Sequence, residues 1–208
     1  MLKLLLSSIL FIALAAQPCF AQSGEHATRV KEHRTEQHQH FLDAEQSPLT
    51  GHDRAHFKGL PYFPIDSTYS VEARFKRTKK EEPFKMNTSS GKQKDFVKYG
   101  EASFELMGEK LTLNLYQNLA YADHPEYGKQ LFVPFTDPTN GNESYGGGRY
   151  MDILIPEGKT FTIDFNLAYN PYCAYSSGWS CPIPPRENDL SVPIKAGVKQ
   201  WKHDHNHH

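Results

Sequence analysis

Apolar and polar side chains alternate along much of this chain from Tyr69 onward. Residues 69–75, 96–106 and 110–116 each change character at every second position, and Leu111, Leu113 and Leu115 share one face. A period of two marks a strand with one buried face. The same reading places strands at 130–135, 149–155, 160–165 and 192–201. Gly108 and Glu109 make a tight hairpin, residues 137–141 carry turn chemistry, and a turn through Gly158 joins 149–155 to 160–165. Short strands with frequent turns, and no alternation of strand and helix, predict a mainly β chain. The expected form is an antiparallel β-sandwich or barrel with short N-terminal helices.

Residues 22–46 are polar, charged and rich in histidine. Their thin apolar stripe of Val30, His33, Phe41 and Leu42 predicts a solvated helix that docks by its C-terminal end. Thr50 with Asp53 three residues on predicts a cap for a short second helix through His56, stopped by Gly59. Residues 47–201 are expected to form one β-rich domain. Residues 202–208 are expected to be a disordered tail, with four histidines in the last six positions.

The first 21 residues stand apart. Lys3, an apolar run over 4–16 and small residues before Ala21 read as a secretory signal peptide cut after Ala21. No later run is long and apolar enough to span a bilayer. The 23 basic and 24 acidic residues leave a net charge of −1, which argues against a nucleic-acid surface.

Candidate chemistry gathers at 137–181. Arg149 follows three glycines, and its guanidinium suits a carboxylate or phosphate, with close backbone access at residues 146–148. The competing role is an internal ion pair to Asp137 or Asp164. Asp164 and Asn166 share one side of a strand end, Asp152 lies on the preceding strand, and Tyr150 and Tyr169 offer aromatic wall. If 149–155 and 160–165 pair as a hairpin, Arg149 and Asp164 lie at one end of it. Cys173 and Cys181 sit eight apart, which in an exported chain predicts a disulfide. A metal site with His56 is the alternative, although a helix histidine of this kind more often bonds a backbone carbonyl. No metal or other cofactor is expected.

A series of distinctive segments follows in order: SPLT at 47–50, DRAHFKGLPYFPID at 53–66, LTLNLYQN at 111–118, LFVPFTDPTNGNESYGGGRY at 131–150, DFNLAYNPYCAY at 164–175 and CPIPPREN at 181–188. Together they resemble the family called domain of unknown function 1684. The resemblance implies one intact domain and supplies no reaction. The expected function is an exported protein that binds a small polar or anionic ligand at strand ends near Arg149 and Asp164. A hydrolase with Asp164 as base and Arg149 as clamp is one alternative, and a structural or interaction protein without a pocket is another.

Overall fold

The alternating segments pair into one antiparallel sheet. The strands are β1 (Ser70–Arg77), β2 (Phe84–Asn87), β3 (Gln93–Leu106), β4 (Glu109–Asn118), β5 (Gln130–Phe135), β6 (Arg149–Leu154) and β7 (Thr160–Asp164). The computed structural model describes residues 19–202, with side chains from residue 24 onward. The sheet order is β6-β5-β4-β3-β1-β7, with β2 paired to β3, and the sheet curls into a half-barrel. Met107 and Gly108 both have positive φ, so the β3–β4 hairpin turns on these two residues, one position earlier than expected.

One face of the sheet buries Ala102, Phe104, Leu111, Leu113, Leu115, Leu131, Val133, Phe135, Met151 and Ile163. The other face carries Phe96, Tyr116 and Phe132, with Met86 packed on them. Both helices form. α1 (Cys19–Leu42) buries Phe41 as expected, leaves Leu42 exposed, and also buries His26 and Val30. It therefore docks along much of its length. Arg34 stacks over Tyr62 at 4.2 Å and donates to the Phe63 carbonyl at 3.0 Å. In α2 (Gly51–Ala55) the Thr50 hydroxyl caps the helix as read from sequence, accepting the Asp53 amide at 3.1 Å, and donates to the Asp53 carboxylate at 2.9 Å.

Residues 192–201 do not form the expected final strand. Val192, Ile194, Ala196 and Val198 are buried in alternation, as read, but over 194–196 side chains take the place of a neighbouring strand, and from Gly197 on isolated backbone hydrogen bonds run to Pro61, Phe63, Glu143 and Ala168. The Ile194 amide donates to Asp137 Oδ1 at 3.1 Å, and the Ile194 and Ala196 carbonyls accept from Arg149 at 2.7 and 2.5 Å. Gly197 then turns the chain with φ +78°, and a Cβ there would lie 2.5 Å from the Ala168 carbonyl oxygen.

The same substitution recurs inside the sheet. The register at Tyr116 and Phe132 would next set Asn114 against Pro134, which has no N–H to give. The buried Asn188 amide fills the gap. It accepts the Asn114 N–H at 2.8 Å and donates to the Asn114 and Pro134 carbonyls at 2.9 and 2.7 Å.

A Cys173–Cys181 disulfide is present, with Cα atoms 6.3 Å apart, within the range such a bond spans. Closing so short a loop is worth about 2.5 kcal/mol in chain entropy. The Cys173→Ser/Cys181→Ser double variant is expected to lose about that much in urea unfolding. An unchanged midpoint would show that the loop is held by other contacts.

Among the described residues no helix is long and apolar enough to cross a membrane. The expected signal peptide over 1–21 and the tail over 202–208 lie almost wholly outside the described residues.

Candidate functional site

β6 and β7 do not form a hairpin. They are the two edges of the sheet, so the juxtaposition of Arg149 with Asp164 through a Gly158 turn is not what the fold makes. β6 takes β5 as its partner and β7 takes β1. The curl brings the edges together by another route. The Tyr150 and Tyr169 amides and carbonyls exchange two hydrogen bonds of 2.9 Å, tying β6 to the segment after β7.

Arg149 is not offered to a ligand. It is fully buried, and its guanidinium is held by Asp137 at 2.7 Å together with the Ile194 and Ala196 carbonyls. Burial pushes its pKa down while the Asp137 carboxylate pushes it back up. Asp137 is equally enclosed, its second oxygen accepting from the Thr139 and Ile194 amides. The expected ligand contacts at Arg149 and Asp137 are therefore replaced by the internal ion pair. The glycines before Arg149 serve packing too: a Cβ at Gly148 would meet the Phe135 carbonyl and Pro184, each at 2.7 Å. Asn166 is a backbone staple, accepting from the Asp66 amide at 3.0 Å and donating to its carbonyl at 2.8 Å.

Tyr150, Asp164 and Tyr169 do meet, in a cleft of about 1150 Å³ lined by both sheet edges, by α1 and by the disulfide loop. It is somewhat larger than the usual small-molecule site of about 300–1,000 Å³. Alternation along β6 puts Tyr150 and Asp152 opposite the core-facing Met151, and the same alternation puts Phe132 beside them. The Phe132 and Tyr150 rings pack edge to face at 4.7 Å. Tyr172 and Trp179 do the same at 4.8 Å, and Trp179, Tyr121 and Tyr127 are exposed at the cleft surface.

The two carboxylates of the cleft differ. Asp164 is fully engaged: Oδ2 meets His26 Nε2 at 2.8 Å, and Oδ1 accepts from the Asn166 amide and side chain at 3.0 and 2.8 Å. Among the described residues Asp152 accepts only the Tyr169 hydroxyl, at 2.5 Å. Water in the cleft reaches Asp152, yet protein crowds it closely enough that burial pushes its carboxyl above the ordinary range, against the pull of the Tyr169 hydrogen bond. Burial, followed by the charge on Asp152, drives the Tyr169 hydroxyl well above its usual value. Burial also lowers His33 on the α1 wall, chiefly against the field of Glu36, and so favours the neutral imidazole.

This gives Asp152 a predictable effect on stability. Its folded value lies above its unfolded one, so its ionisation opposes folding, and the relative gain held below the ordinary carboxylate range is lost as pH rises through the folded value. Asp152→Asn keeps the Tyr169 acceptor and removes that loss. The variant is expected to melt above the parent at pH 7, with the gap closing below about pH 4, the ordinary carboxylate range. A gap independent of pH would contradict this.

Among the described residues no three His, Cys, Asp or Glu side chains are placed to hold a metal ion. The cysteines are joined to each other, and His56 Nδ1 bonds the His52 carbonyl at 3.0 Å.

The model of a family described as proteins of unknown function (DUF1684) matches residues 55–199. The chain belongs to the DUF1684 family. It is 35% identical to the uncharacterized protein from gene locus rrnAC0354 of Haloarcula marismortui, known from a solution NMR structure. The two superpose with a TM-score of 0.68 over 90% of this chain and 99% of the other. None of the curated proteins matches. The DUF1684 match takes in both sheet edges and the disulfide loop but stops short of α1, so Asp152, Asp164 and Tyr169 fall within it and His26 and His33 outside.

Asp152 was legible only as a carboxylate on the strand before Asp164. Its position opposite the core followed from alternation, but its meeting with Tyr169 depends on the curl of the sheet, which no local pattern encodes. Asn188 gave no signal beyond its place after a proline pair.

Proposed function

We propose that this is an exported protein that binds a small polar ligand in the cleft between the β6 and β7 edges. One observation carries the reading: a cleft of about 1150 Å³ in which an aromatic wall meets a few directed polar groups, among them Asp152, Asp164 and Tyr169. The leader-like first 21 residues and the Cys173–Cys181 disulfide support export. An anion is disfavoured, because Arg149 is occupied inside the core and two carboxylates line the cleft.

Amide chemical shifts of the labelled protein, titrated with a panel of small polar compounds, test the binding. Perturbations are expected to cluster at Tyr150, Asp152, Thr162 and Tyr169, and the exposed Thr162→Trp substitution at the β7 edge is expected to block them without lowering the melting temperature. Perturbations confined to the β1–β3 surface would overturn the assignment. Export is tested separately by the intact mass of protein recovered outside the cytoplasm, which should begin at Gln22; a form retaining Met1 would refute cleavage.

A further inference from the structure

The two cleft carboxylates ask for different things. Asp164 is complete, with His26 on one oxygen and Asn166 on the other. Asp152 is not. Its only hydrogen bond among the described residues comes from the neutral Tyr169 hydroxyl, and no cation lies close enough to shift its titration. A carboxylate with a single neutral hydrogen-bond partner keeps acceptor sites open, and a cation brought by a ligand can fill them with charge-assisted hydrogen bonds.

The surroundings suit such a ligand. Tyr169 stands against Asp152, the Tyr150 ring packs on Tyr169 with centroids 5.8 Å apart, and Tyr127 and Trp179 expose their rings in the same cleft. Aromatic faces attract ammonium and guanidinium groups, more strongly where water is excluded. The opposite assignment has little support, because the guanidinium of Arg149 is sealed in the core and burial favours neutral His33. Lys94 is the one lysine or arginine among the residues lining the cleft, and it is exposed.

We propose that the occupant of the cleft is an organic cation, an ammonium or guanidinium group on a body with an aromatic or aliphatic face, with its charge seated against Asp152. This rests on the cleft being a ligand site, and the test separates the two ideas. The probes are 2-phenylethylammonium and 2-phenylethanol, which share a body and differ in charge. Each is titrated to about 10 mM at pH 7 and read by amide shifts and by tryptophan fluorescence in a Trp201→Phe background, where Trp179 is the one tryptophan left. A dissociation constant at least about tenfold lower for the ammonium is expected, equivalent to about 1.4 kcal/mol. Asp152→Asn should abolish that preference, while the variant stays folded. Thr162→Trp should remove both. Equal affinities in the parent protein would overturn the cation and leave the cleft as a site for neutral polar ligands. A preference that survives Asp152→Asn would overturn the seat at Asp152. No response to either probe, or binding untouched by Thr162→Trp, would overturn both the cation and the cleft.

Discussion

Replacing Arg149 with Met is expected to cost roughly 3–5 kcal/mol in urea unfolding, the largest loss of any single substitution considered. The change strands the buried Asp137 carboxylate and leaves the Ile194 and Ala196 carbonyls without their donor. The methionine fills most of the space, so the cost is electrostatic rather than a cavity. Pairing it with Asp137→Leu should recover part of the loss, because an empty apolar site is tolerated better than one buried charge. An Arg149→Met protein as stable as the parent would show that the pair is dispensable. Such a result would reopen Arg149 as a ligand clamp.

The second large effect is expected at Asn188. Asn188→Ala removes three hydrogen bonds and leaves the Asn114 N–H and two carbonyls facing a void. Each buried group left unpaired costs about 1–3 kcal/mol, less if water enters, so a loss of about 3 kcal/mol is expected. Amide exchange should accelerate at Asn114 before it does at the β3–β4 hairpin. Asn188→Asp should cost as much or more, since a carboxylate accepts from Asn114 but cannot donate to either carbonyl. Protection at Asn114 unchanged in Asn188→Ala would mean that β4 and β5 hold together without the inserted amide.

Six of the seven strands were legible in the sequence, β3 and β4 most plainly, because their long alternation marks a buried face and a period of two survives any arrangement of partners. β2 was missed: its four residues are too few to show the period, and Pro83 stands just before it. Residues 192–201 show the opposite failure. Their alternation is real and their burial follows it, but alternation reports a buried face, not a hydrogen-bonded neighbour. Asp137 and Arg149 occupy the neighbour's place. The expected hairpin failed for a related reason. Short turns made 149–155 and 160–165 look like a hairpin, whereas each strand found a partner elsewhere. The residues that reach the cleft, Tyr150, Asp164 and Tyr169, were named from their types and their strand-end positions. Tyr150 and Asp164 stand on the two sheet edges and Tyr169 on the segment after β7, brought near by curvature, a property of the whole sheet.

The dependence of the core on residues 194–196 also sets an order on folding. Arg149 enters the growing chain 45 and 47 residues before its carbonyl partners. Until those partners emerge from the ribosome, the nascent sheet carries a charged pair that it cannot dehydrate, and its apolar face lacks Ile194 and Ala196 to cover it. Completion therefore waits for residues 194–196 to emerge, and the chain ahead of them is expected to stay open and protease-sensitive until then. An unfolded chain is also the form that translocation through a membrane pore accepts. Stalled chains that end before residue 194 should be digested by protease at a rate close to that of the urea-unfolded protein.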